Sequence, residues 1–308
     1  MPRAWENIPP HFAIPIVAAF VLQISFYLLP ALPSVGRRLT NRLSPARLAA
    51  FAVVASILPY LAYSLPTGVF QFAALLKLST VCLVLGFLFV LFPTRSRSLT
   101  WQDLAALSTI AIVMLGRLWR QVYLSPVEGL RIEVLGQILL IGLGALAFLS
   151  LRNLEGVGYR LHTSAADWRE GTLQFVLFLP IGLPVALWIG VVRFHPFRSD
   201  PWLYPIYVVG TFLGIYLVLA LFEEFFFRGV LQNLLAQSIQ RPLLAQAIVS
   251  VLFGLCHLPF RGFPNWRFAL VDAILGWFCG QAYRRRGTIV ASCITHALVV
   301  TSWRLLFS

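Results

Sequence analysis

Charge is what this chain has least of. Asp, Glu, Lys and Arg make up 11% of its 308 residues, whereas soluble domains carry about 25%, and that excludes an ordinary globular enzyme. Acidic residues are the scarcest, eleven against 24 Lys and Arg. Cysteine is also rare. Cys82, Cys256, Cys279 and Cys293 all lie in apolar runs with no CxxC pair, which excludes a disulfide framework and a zinc ribbon and leaves them as small apolar packers. No HExxH occurs, so zincin geometry does not apply. Internal repeats and low-complexity tracts are absent.

Apolar sequence is what the chain has instead. Hydrophobic residues make up 59%, mean hydropathy is +0.83, and the recurring apolar runs are long enough to cross about 30 Å of hydrocarbon. The pattern predicts an all-α, polytopic transmembrane helix bundle in the cell membrane, with lipid as its first partner. About ten spans are expected, near 12–33, 48–65, 70–92, 104–119, 134–151, 173–194, 203–222, 242–259, 268–283 and 288–306. Segment 223–240 either extends the seventh span or forms a separate amphipathic helix. The net charge of +13 is not a nucleic-acid footprint, because the arginines sit between apolar runs, as anchors at anionic lipid do.

Arginine placement sets an expected orientation. Arg37, Arg38, Arg42 and Arg47, then Arg95 and Arg97, then Arg152, Arg160 and Arg169, and last Arg284, Arg285 and Arg286 fall on one side, the cytoplasmic one by the positive-inside rule. The polar stretch Leu151–Gly171 reads as a linker plus an interfacial helix. It divides the chain into residues 1–150, N-terminal spans of unassigned role, and residues 151–308.

Apart from Lys77 in the third span, the charged residues and histidines within or at the edge of apolar runs gather in the C-terminal third: Glu223, Glu224, Asp272, His257 and His296. A carboxylate at the bilayer centre costs roughly 2.5–3.5 kcal/mol, so Glu223 and Glu224 together cost on the order of 5–7 kcal/mol unless compensated. Glu224 and Arg228 are four apart on one helix face and can pair, which makes Glu224 an ionised anchor. Glu223 points about 100° away and has no local cation, which suits a general base. By itself EExxxR reads equally well as a helix-end ion pair. Two histidines and two glutamates on neighbouring spans add a second possibility, that they hold and activate one water, directly or through a divalent metal such as zinc. Asp272 is expected to cap or bridge helices, beside a small-residue packing face at Gly276 and Gly280.

The stretches EEFFFRG (Glu223–Gly229), FGLCH (Phe253–His257) and GWFCGQAYRRRGTIVASCITHAL (Gly276–Leu298) resemble the CPBP intramembrane proteases. That family includes the CAAX prenyl endopeptidases and the lysostaphin-resistance-protein-A-like proteins, and the resemblance covers roughly residues 155–306. It implies a protease core in which Glu223 is the base that activates water and Glu224 and Arg228 support it. It implies that His257 positions the water, that Phe253 packs the His257 ring, and that His296 stabilises water or oxyanion. Glu223, His257 and His296, a carboxylate and two histidines, are a competent zinc set, and a metal-free glutamate-and-histidine site explains the same residues. The family's Asn four residues after the last histidine is Val300 here, so Thr301 or Ser302 is the nearest hydroxyl that could replace its donor.

Three functions are compatible with these residues. The first is an intramembrane endopeptidase acting on a membrane-associated protein or peptide, prenylated or not. The second is a catalytically silent scaffold or bacteriocin-immunity-like protein, which Val300 favours. The third is a transporter or proton relay, against which counts the clustering of the charges at one place.

Overall fold

The computed structural model describes residues 8–28, 32, 41–160, 162–197 and 200–307. The expected end of the first span at 33, and Arg37, Arg38 and Arg198, lie outside the described residues. By contact the chain divides into two compact units, Met1–Ser96 with Thr100–Leu154, and Arg97–Leu99 with Glu155–Ser308. Both are helical, and the protein is a multi-pass membrane protein.

The first unit holds α1 (Pro10–Leu28), α2 (Pro45–Ser64), α3 (Phe72–Leu91), α4 (Trp101–Leu115), the short α5 (Leu118–Val122) and α6 (Val134–Leu151). Helix α6 is its buried centre, packed against α1, α2 and α3. The fourth span, expected over 104–119, starts earlier and stops at Leu115. A capping box between Thr100 and Asp103 opens the helix, and the left-handed backbone of Arg117 (φ 52°) ends the region. Asp103 also pairs with Arg152 at 3.0 Å, both side chains almost fully buried, which compensates two charges at neighbouring helix ends. Lys77, the one charge embedded in an early span, donates to Gln121 Oε1 at 2.8 Å.

The second unit holds α7 (Ala165–Trp188), α8 (Tyr204–Ile239), α9 (Pro242–Cys256), α10 (Trp266–Arg286) and α11 (Ile289–Leu306). Helix α8 runs unbroken through Glu223, so segment 223–240 extends the seventh span. Helices α1, α2, α3, α6, α7, α8 and α11 are long and apolar enough to cross a membrane. Helices α4 and α9 are apolar but shorter, and α10 ends in three arginines.

Leu151–Gly171 differs from expectation, because no separate interfacial helix forms there among the described residues. Residues 153–160 are irregular, and the helix that begins at Ala165 continues directly into the sixth span. Its polar residues are that helix's own start. Ser164 and Asp167 form a reciprocal capping box, and Asp167 also accepts from Arg286 Nε at 3.2 Å. The irregular stretch is tied down by its carbonyls. Asn233 donates to Glu155 O, Tyr283 Oη to Gly156 O, and Thr288 Oγ1 to Gly158 O. Gly158 is required where it stands, since its φ is +66° and a Cβ would lie 2.4 Å from Thr288 Cα.

The small-residue face of α10 is observed. A Cβ on Gly276 would meet Ser250 Cα at 3.2 Å, and one on Gly280 would meet Gln246 Cγ at 2.8 Å. On α9, a Cβ on Gly254 would meet Ala269 O at 2.3 Å. Helices α9 and α10 therefore pack closely, and polar side chains of α8 and α9 reach α10 carbonyls. Arg228 Nη2 donates to Gly276 O, Gln246 to Trp277 O and Gln232 to Gly280 O.

Candidate active site

The LFEE turn (Leu221–Glu224) is flanked on α8 by two widened, π-helical stretches, Ile215–Ala220 and Phe225–Gln232. Such widening recurs at functional sites and changes which side chains share a face. Here it still leaves Glu224 facing Arg228. Both side chains are fully buried, with Nε to Oε2 at 3.1 Å and Nη1 to Oε1 at 3.1 Å. Helix α11 adds a third group, His296, whose Nδ1 lies 2.8 Å from Glu224 Oε1. Glu224 is thus held by a guanidinium and an imidazole at once.

Glu223 is arranged differently. Its carboxylate forms no hydrogen bond to any described side chain or backbone group. Instead Oε1 faces His257 Nε2 and Oε2 faces His296 Nε2, each at 3.7 Å, beyond direct hydrogen-bonding distance. The second nitrogen of each ring is engaged. His257 Nδ1 lies 2.8 Å from Phe253 O, a carbonyl that can only accept, so Nδ1 carries the proton and Nε2 is the atom presented to Glu223. His296 is oriented in the same way by Glu224. Helices α8, α9 and α11 thereby bring one carboxylate between two imidazole edges.

Phe253 organises the cluster. Its ring centroid is 4.8 Å from that of His257 and 5.9 Å from that of His296. The Arg228 guanidinium carbon lies 4.4 Å over the same ring, close enough for a cation–π contact. Thr301 is buried on α11, and its Oγ1 has no hydrogen-bond partner among the described residues. Val300 is half-buried.

Asp272 enters the site from α10. Its Oδ2 lies 3.6 Å from His257 Nδ1 and has no hydrogen-bond partner among the described residues. It therefore bridges α10 to the end of α9, and it faces the ring edge opposite Glu223. Sequence reasoning assigns Asp272 to helix capping or bridging and leaves it out of the site. The available signal was its placement as an acidic residue inside an apolar run, fifteen positions after His257.

Three metal-ligating side chains, Glu224, Cys279 and His296, gather within 4.8 Å of one another among the described residues. This is not the trio expected from the sequence. Glu224 is already compensated there by Arg228, and a cation in that cluster would face the guanidinium directly.

Residues 205–302 match the family model described as type II CAAX prenyl endopeptidase, Rce1-like. Over this segment the chain is similar to the CAAX proteases. The matched region begins one residue into α8 and ends within α11, so it contains Glu223, Glu224, Arg228, Phe253, His257, Asp272, His296 and Thr301. The first unit lies outside the CAAX protease match. No curated protein and no solved structure matches the chain.

Proposed function

We propose that this CAAX-protease-type protein is an intramembrane endopeptidase in which Glu223 activates water to hydrolyse a peptide bond of a membrane-associated protein or peptide. The observation that carries the reading is the unequal use of the two adjacent glutamates. Glu224 is consumed by Arg228 and His296, whereas both oxygens of Glu223 face imidazole Nε2 atoms and accept nothing. A base needs a free lone pair within reach of the proton it takes.

In the proposed reaction a water oxygen attacks the scissile carbonyl carbon while Glu223 takes one of its protons. His257 and His296, beside that carboxylate, hold the water, and in their doubly protonated form their Nε2–H groups donate to the developing oxyanion. Glu223 then returns the proton to the amine nitrogen as the C–N bond breaks, giving a free carboxylate and a free amine. No covalent enzyme intermediate forms. Glu223, His257 and His296 also have the donor chemistry for a divalent metal such as zinc, which would polarise bound water. The proton itself moves only between water, Glu223 and the leaving amine.

The substrate reaches the site in the plane of the cell membrane, as a protein or peptide that is prenylated or carries another membrane anchor. The second reading, a silent scaffold or immunity-like protein, is favoured by Val300, which supplies no donor where the family has Asn. One experiment separates the two. Membrane-protein termini are compared between cells producing the wild type and Glu223→Gln at matched levels. New termini confined to the wild type are expected and would name the substrates, whereas identical sets of termini would leave the scaffold reading.

A further inference from the structure

We propose that the turn joining α9 to α10 is a binding site for the phosphate of an anionic phospholipid headgroup. The turn starts at His257 and ends at Asn265, and it is internally braced. Asn265 N donates to Leu258 O at 2.8 Å, Asn265 Nδ2 to Phe260 O at 3.0 Å, and the Asn265 side chain caps Phe268 N at 3.1 Å. Arg261 (φ 55°) and Gly262 (φ 123°) both take left-handed backbone, which turns the chain sharply between them. The resulting open concavity, about 400 Å³, is lined by residues 261–267, with Arg261 and Arg267 both in its wall.

Three features define the ligand. Both arginines are exposed, and neither forms an ion pair with a described carboxylate, so both guanidiniums are free to bind an anion. Guanidinium matches phosphate geometry with paired N–H donors. Around them stand Phe260, Phe263 and Trp266, exposed by 45%, 77% and 61%, and the Arg261 guanidinium lies 5.7 Å over the Phe260 ring. Aromatic and arginine side chains side by side suit the headgroup level of a bilayer, where one end of each group is wet and the other apolar. A small free anion would use the arginines but not the aromatic rim. A phospholipid uses both.

The position supports the same reading. Arg284, Arg285 and Arg286 lie in the last turn of α10, on the side expected to be cytoplasmic, and Arg261 and Arg267 flank its start. The positive-inside bias does not account for them there. The turn also begins at His257, and Asp272 lies little more than one turn along α10 from Arg267. A headgroup docked here would hold the bilayer surface in register with the site. The binding claim does not depend on the proposed hydrolysis.

The purified full-length chain would be reconstituted in phosphatidylcholine vesicles with or without phosphatidylglycerol, each carrying brominated acyl chains. Quenching of Trp266 is isolated by subtracting the Trp266→Phe signal. About tenfold stronger binding of phosphatidylglycerol is expected, lost in Arg261→Gln/Arg267→Gln and kept in Arg120→Gln/Arg241→Gln, which removes two exposed arginines elsewhere; tenfold corresponds to about 1.4 kcal/mol. Thermal unfolding should be unchanged in both double variants, since none of the four pairs with a described carboxylate. Equal quenching by the two lipids, or a preference that survives in Arg261→Gln/Arg267→Gln, overturns the proposal. Full displacement by inorganic phosphate at matched ionic strength would assign the turn to a free anion and equally overturn it.

Discussion

Replacing Arg228 by methionine tests whether the two glutamates are divided between structure and chemistry. The substitution keeps an apolar side chain at this position and removes the guanidinium, together with its contact over the Phe253 ring. Glu224 then loses both 3.1 Å contacts, and Gly276 O loses its donor. Glu224 is fully buried, so it is left with His296 alone as a partner. Breaking one side of a buried ion pair costs about 3–5 kcal/mol, which corresponds to a fall on the order of 10 °C in the unfolding temperature.

A thiol-reactive dye would follow that transition. Cys279 and Cys293 are buried in the second unit beside Glu224, so in a Cys82→Ala/Cys256→Ala background the dye reports the opening of that unit. The decisive variant is Glu224→Gln/Arg228→Met. Removing the orphaned charge should return about 1–3 kcal/mol of the loss, while Glu223→Gln alone should shift stability by less than about 1 kcal/mol. If the double variant is as unstable as the sum of its parts, the pair is not coupled and the argument for Glu224 as an anchor fails. A large destabilisation by Glu223→Gln would equally remove the distinction between the two residues.

Three further outcomes are expected. Asp272→Leu should lower cleavage about tenfold with little loss of stability, and it should move the ¹⁵N ring signals of His257; unchanged ring signals would make Asp272 a packing residue only. Gly254→Ala should destabilise by about 1–3 kcal/mol, because its Cβ would overlap Ala269 O. Gly210→Ala, with nothing within 4 Å of the new methyl, should be neutral or stabilising by up to about 1 kcal/mol, and thermal unfolding of the pair compares them directly. Thr301→Val removes a buried hydroxyl that has no partner among the described residues, so stability should rise by about 1 kcal/mol. If Thr301 supplies the donor that Val300 lacks, cleavage should fall in the same variant, and unchanged cleavage would exclude that role.

What the sequence determined by itself was whatever depends on neighbours in the chain. Hydropathy requires long apolar helices, because a lipid environment demands internally satisfied backbone. The EExxxR spacing put Glu224 and Arg228 on one helix face, since residues four apart meet whatever surrounds them. The glycines of α10 marked its close-packed side for a similarly local reason. The family motifs were legible as short fixed strings.

The tertiary structure decided everything that depends on distant partners. The hydropathy pattern pauses at Glu223, yet α8 continues to Ile239, because Arg228 pairs with Glu224 within the helix and His296 and the α10 carbonyls satisfy its remaining polar groups from other helices. Asp103 and Arg152 are 49 positions apart, so nothing in the sequence joined them. The polar stretch before α7 has the composition of an interfacial helix, but its carbonyls are bonded instead to Asn233, Tyr283 and Thr288, which lie far along the chain. The same holds within the site. Only the packing of α8, α9, α10 and α11 sets Glu223 between two imidazole edges and Asp272 behind His257, because a side chain's partners across a helix bundle follow from helix contacts that no local spacing encodes.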